Sequence, residues 1–134
     1  MDCKKQGNIV ELRFYLKAFE LDLVVSKPFG DNARYDFIVD NKGRLSRVQI
    51  KSTGVLNLEA GHHGHIGRYR ILSAFGAIKR SLSKEHIDYL VAYIIPESLW
   101  YIIPVEAMRG KKTLHFKING SGQYEQFKER WDLF

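Results

Sequence analysis

The feature that most constrains this chain is a turn. Asp40-Asn41-Lys42-Gly43 separates two short runs rich in β-branched and aromatic residues, Tyr35 to Val39 and Leu45 to Ile50. Two such runs joined by Asn, Lys and Gly predict an antiparallel β-hairpin. If Asp40 pairs with Leu45 across the turn, Asp36 falls opposite Gln49. Side chains alternate along a strand, so Gln49 and Lys51 share one face while Val48 and Ile50 take the other. A carboxylate, an amide carbonyl and an ammonium then meet on one patch of sheet. The arrangement depends on register, because a slip of one residue would separate them.

Such a patch suits phosphodiester hydrolysis. Mg²⁺ takes oxygen ligands and needs only one or two carboxylates, keeping several waters. A bound ion activates water and offsets charge developing on phosphate, and Lys51 is placed to orient that water and stabilise the transition state. The overall charge agrees. Lys and Arg number 21 against 15 Asp and Glu, a formal +6, and the pI is near 9.5. A basic chain of this size suggests a polyanionic partner, nucleic acid before a membrane surface.

Around the hairpin the chain reads as one mixed α/β domain of 134 residues. Asn8 as N-cap and Glu11 three residues on form a capping box for a first helix, with Ile9, Leu12, Leu16 and Phe19 at helical spacing and Val10 and Phe14 widening the apolar face. Leu21 to Ser26 reads as a strand before a Pro-Gly loop. Residues 53–68, rich in glycine and carrying His62, His63 and His65, read as a protruding loop or arm. Tyr69 to Leu82 is expected to be helical through Phe75, Ile78 and Leu82. Tyr89 to Ile95 and Leu99 to Ile103 are apolar strands, residues 104–108 a short helix, and Thr113 to Ile118 a strand. An amphipathic helix from Gln123 to Trp131 closes the chain. Phe127, Trp131 and Phe134 leave an apolar face there that a partner subunit would cover.

Cys3 is the sole cysteine, which excludes internal disulfides and thiolate metal clusters. The histidine-rich arm lacks the fourth well-placed ligand a zinc site needs. No apolar run approaches the ~20 residues of a membrane span, and the first residues lack the pattern of a signal peptide. A cytoplasmic, intracellular location is therefore expected.

A helix acid, an aspartate at a strand start and an acid-x-Lys on the next strand resemble the PD-(D/E)XK nucleases, with Glu11, Asp36, Gln49 and Lys51 in the four positions. The resemblance runs over residues 7–106, including Asp88-Tyr89-Leu90 and Trp100 to Pro104. It departs in having Tyr35 before the aspartate and Gln49 for the usual acid, a QxK form similar to small intron-encoded homing endonucleases. It implies a restriction-endonuclease-like core: a central mixed β-sheet flanked by helices. It also implies Glu11, Asp36, Gln49 and the Ile50 carbonyl as ligands of Mg²⁺, or of Mn²⁺ in substitution, and Lys51 as the residue acting on water. Double-stranded DNA is the expected substrate, and a homo-oligomer, dimer or tetramer, the means of cutting both strands. Ser52, Arg68, Tyr69, Arg70, Lys79 and Arg80 are the expected DNA contacts, the last two as the basic face of the second helix. Other readings are a Holliday-junction-resolving or restriction-like nuclease on the same fold, and a DNA-binding module that has lost catalysis with Gln49.

Overall fold

The computed structural model describes residues 2–54, 56–57, 67–117 and 119–134, with only the backbone of 56–57. Helix α1 spans Cys3–Glu20. The strands are β1 (Val24–Ser26), β2 (Phe37–Asn41), β3 (Arg44–Thr53), β4 (Leu56–Asn57), β5 (Arg68–Leu72), β6 (Ala74–Phe75), β7 (Arg80–Ser81), β8 (Tyr89–Ile94), β9 (Leu99–Pro104) and β10 (Thr113–Phe116).

The expected hairpin is present in the expected register. Asp40 pairs with Leu45 and Phe37 with Val48. Lys42 and Gly43 both take positive φ, 53° and 93°, the geometry of a two-residue primed turn. The Asp40 carboxylate accepts from the Gly43 N–H at 2.7 Å and closes it. The hairpin belongs to a five-stranded sheet ordered β1-β2-β3-β8-β9, in which β3 and β8 run parallel and the other neighbours antiparallel.

The unbroken apolar character of β8 and β9 reflects burial on both faces. Val91, Tyr93, Trp100 and Ile102 pack with Val10, Phe14 and Ala18 of α1 and with Val39, Val48 and Ile50. Leu90, Ala92, Ile94, Tyr101 and Ile103 pack on the other side, against Tyr69, Ile71, Leu114, Phe116 and Tyr124. That second layer is a small sheet ordered β10-β5-β4, not a helix.

Four expectations are corrected. Helix α1 begins six residues before its expected start, because Asp2 caps it and accepts from the Lys5 N–H at 2.8 Å. The Asn8–Glu11 capping box therefore does not form, and both residues lie within the helix. Its buried stripe is Val10, Phe14 and Ala18, whereas Leu12, Leu16 and Phe19 are 69%, 58% and 70% exposed. Residues 69–82 are strands, not a helix. Tyr69 and Ile71 alternate inward, and a turn with Gly76 at positive φ joins β6 to β7. The closing helix is replaced by two 3₁₀ turns, Glu125–Phe127 and Trp131–Leu133. Its aromatic face needs no partner subunit: Phe134 is buried, and Trp131 and Phe127 pack on the two cores. The arm with His62, His63 and His65, and Ile118, lie outside the described residues.

One ion network sets the parallel β3–β8 register. Asp88 accepts from the Arg47 N–H at 2.7 Å and Nε at 3.3 Å and pairs with Lys84 at 3.0 Å. Arg47 also donates to the Glu85 and Lys84 carbonyls, and its own carbonyl accepts from the Asp88 N–H. Burial alone would raise the Asp88 pKa, but these Arg47 and Lys84 contacts outweigh it and hold the carboxyl at about 2. The folded value lies below the unfolded one, so the stabilisation is present above pH ~4 and is lost as pH falls toward 2. Asp88→Asn should lower the unfolding free energy by up to about 2 kcal/mol at neutral pH. In urea titrations the gap from wild type should close between pH 4 and pH 2; a gap that persists at pH 2 would refute this account.

Candidate active site

β2 begins at Phe37, which pairs with Val48, and Asp36 is the residue just before it, next to Gln49 on the neighbouring strand. The Asp36 N–H donates to the Val48 carbonyl at 2.8 Å. Its carboxylate then accepts from the Ile50 N–H at 2.7 Å. The side chain thus supplies the next rung of the ladder where the backbone of β2 turns away, which locks the carboxylate in place.

Burial is the largest influence on Asp36 and raises its pKa. The Ile50 N–H lowers it, the charge of Glu11 raises it, and Lys51 and Lys27 lower it; the net effect is a raised value. These couplings bring Glu11, Asp36 and Lys51 into one electrostatic neighbourhood. Glu11 reaches it from within α1, because Asp2 caps the helix and Glu11 has no capping role. Glu11 and Asp36 line one cavity of about 230 Å³ with Lys27 and Tyr35. Lys27 lies 3.7 Å from the Glu11 carboxylate and stands over the Phe37 ring. A second cavity, about 490 Å³, adjoins it along Leu12 and Tyr15 of α1 and also touches Glu11 and Lys27.

The Gln49 amide is oriented. Its Nε2 donates to the Arg34 carbonyl at 2.9 Å, while Oε1 is buried without a hydrogen-bond partner among the described residues. A buried, unpaired carbonyl oxygen is unfavourable, and a cation would relieve it. Arg34 is itself held, with its guanidinium 4.5 Å from the Phe75 ring centre. Two carboxylates and an amide oxygen form an all-oxygen donor set, which fits a hard divalent cation. Among the described residues no group of three or more His, Cys, Asp or Glu could hold a metal, as expected where glutamine occupies an acid's place.

The expected site residues divide. Glu11 and Lys51 lie near enough to Asp36 for their charges to act on it, Ile50 holds Asp36 through its N–H, and Gln49, beside Ile50 on β3, is turned to the Arg34 carbonyl. Ser52 is half-buried next to them and accepts from Gln6 Nε2 at 3.5 Å. Arg68 and Arg70 lie on the outer face of β5. Tyr69 is corrected: it is 3% exposed and its hydroxyl donates to Glu97, so it is a core residue. Lys79 and Arg80 are exposed, but Lys79 lies on the turn between β6 and β7 and Arg80 begins β7, neither on a helix. Sequence reasoning missed Lys27 and Arg34. Lys27 follows a strand whose pairing with β2 brings it beside Glu11, and Arg34 acts through its carbonyl, which carries no side-chain signal.

A raised folded pKa means that ionised Asp36 costs the fold stability at neutral pH, a cost that is absent below the unfolded value of 3.8 and grows as pH rises through the folded one. Asp36→Asn can still accept from the Ile50 N–H. It should melt at a higher temperature than wild type at pH 7, with the difference closing below pH 4. Equal or lower melting at pH 7 would refute the burial account.

The comparisons with known proteins agree with this geometry. A comparison with the curated proteins finds no match. A solved structure described as a bacterial homing endonuclease, I-Ssp6803I, aligns over 99% of this chain and 93% of its own, with a TM-score of 0.75 and 22% identity. The shared fold is thus a mixed α/β core of restriction-endonuclease type. The family model of PD-(D/E)XK endonucleases matches residues 1–132, nearly the whole chain, so this protein belongs to the PD-(D/E)XK endonuclease family.

Proposed function

We propose that this chain is a divalent-metal-dependent endonuclease of double-stranded DNA, site-specific and of the homing type. The observation that carries the reading is the buried Gln49 Oε1, without a hydrogen-bond partner among the described residues, one residue from the Ile50 N–H that holds the Asp36 carboxylate. Glu11, Asp36, Gln49 and the Ile50 carbonyl are the proposed ligands of Mg²⁺, with Mn²⁺ as a substitute. A bound ion there supplies Lewis acidity and lowers the pKa of water. Lys51 Nζ orients the attacking water and offsets charge on the phosphate as it builds. Asp36, fixed by the Ile50 N–H, holds its geometry without reorganising. Glu11 supplies the second negative charge that Gln49 does not, and its present partner Lys27 is largely exposed and free to swing away. The homing subtype draws on the QxK pattern and on the fold shared with a bacterial homing endonuclease.

Arg68, Arg70, Lys79 and Arg80 are the proposed DNA contacts, with Ser52 next to the scissile phosphate. Cutting both strands calls for two such sites, hence a homo-oligomer. The exposed apolar residues Leu12, Tyr15, Leu16 and Phe19 of α1 and Val24 of β1 support that reading, since a contiguous apolar surface favours association.

With Mg²⁺ the wild type should cut DNA carrying its site into discrete fragments. EDTA should stop the reaction, and Lys51→Ala should slow it by about 100-fold or more. Cleavage surviving both would overturn the reading. DNA binding with no cleavage in Mg²⁺ or Mn²⁺ would instead favour a module that has lost catalysis. For the assembly, light scattering should give a multiple of 15.6 kDa. Phe19→Glu should reduce it to one chain, and an unchanged mass would place the contact elsewhere.

A further inference from the structure

The small sheet that backs the core has an outer face that catalysis does not use. Its inner residues Tyr69, Ile71, Leu114 and Phe116 are all buried. Its outer residues on β5 and β10 are Arg68, Arg70, Leu72, Thr113 and His115. The register sets His115 opposite Arg70 and Thr113 opposite Leu72. Among the described residues no carboxylate pairs with Arg68, Arg70 or His115. Arg68 and Arg70 thus set two positive charges on one face beside a histidine, with no acid among the described residues to balance them, and the arrangement points to an acceptor-rich, anionic partner.

We propose that this face is a base-reading ribbon, in which Arg68, Arg70 and His115 contact base edges in the DNA major groove and His115 is a specificity-determining residue of the nuclease. The inference rests on the DNA-cleaving reading above and adds to it which surface reads sequence.

Geometry supports base edges over phosphates. A two-stranded ribbon fits the major groove. Residues two apart on a strand are separated by about 6.6 Å, close to two base-pair steps of about 3.4 Å. The packed layer beneath gives the strands a rigid backing, which precise readout requires. The face is also suited chemically. Arginine reads guanine O6 and N7, and the exposed Leu72 beside Thr113 suits a thymine methyl. Burial, and then the charges of Arg68, Arg70 and Lys111, hold the His115 ring below its ordinary pKa. At neutral pH it is therefore an uncharged donor and acceptor, poorly suited to phosphate and well suited to a base edge.

The test is selection of bound sequences from a random duplex pool by the full chain in Ca²⁺, followed by cleavage of the selected duplexes in Mg²⁺. Wild type should enrich a consensus. His115→Ala and Arg70→Lys should each lose preference by about tenfold or more at one or two adjacent base pairs, with melting temperatures unchanged. Uniform weakening on all sequences with a shallower salt dependence would make these phosphate contacts and overturn the proposal. An unchanged consensus, or a wild type without one, would overturn it as well. Failure of the nuclease reading is distinguishable: selected duplexes would be bound and not cut, while the consensus still decides the role of the ribbon.

Discussion

The register of the β2–β3 hairpin is the constraint on which everything else here depends. Two residues with positive φ and one Asp40-to-Gly43 hydrogen bond determine it. A shift of one residue would turn Gln49 and Lys51 into the α1 core and bring Val48 and Ile50 out. On its far edge β3 is held a second time, by Arg47 and Asp88 at the start of the parallel pair. The strand carrying half the site is thus fixed from both sides, by local turn chemistry on one and by a largely buried carboxylate on the other.

How much of this was legible in the sequence follows from the range of the forces involved. The hairpin was legible because its turn chemistry is local. The strands β8 and β9 were legible because burial on both faces leaves continuous apolar runs. The phase of α1 was not. Its sequence carries two apolar stripes, and only packing against Trp100 and Val39 selects Val10, Phe14 and Ala18 over Leu12, Leu16 and Phe19. The segment after the arm was misread because Phe75, Ile78 and Leu82 fall at helical spacing by chance. The alternation of Tyr69 and Ile71, two residues per period, was the better guide. At the C-terminus, Trp131 and Phe134 settle against Phe14, a long-range contact that short-range periodicity does not report.

Within the candidate site, the residues proposed to carry the chemistry were readable by type and spacing, and the residues that aim them were not. Asp36, Gln49 and Lys51 follow from strand alternation. The Gln49 amide is aimed by the Arg34 carbonyl, and Arg34 by its stack on Phe75, which in turn meets His86 edge-on. Glutamine in place of an acid also removes a negative charge from the patch proposed to receive phosphate. Repulsion between the bare protein and DNA is correspondingly smaller, and the remaining anionic strength rests on Glu11, held near Lys27.

The parallel pairing of β3 and β8 carries a further consequence. Parallel neighbours require a crossover, and here that crossover contains β4 to β7, including the arginine face of β5. It leaves the ladder at Thr53 and returns to it at Tyr89, the partner of Val48. Within it Phe75 holds Arg34 and the Lys84 and Glu85 carbonyls hold Arg47, so these positions are tied to the hairpin, whereas the outward residues Arg68, Arg70 and Leu72 of β5 can change without disturbing Asp36 and Gln49. The architecture sets an outward face that can diversify beside inward contacts that must be inherited intact; if that face reads sequence as proposed, new target preferences can arise there by drift while the hairpin stays the same.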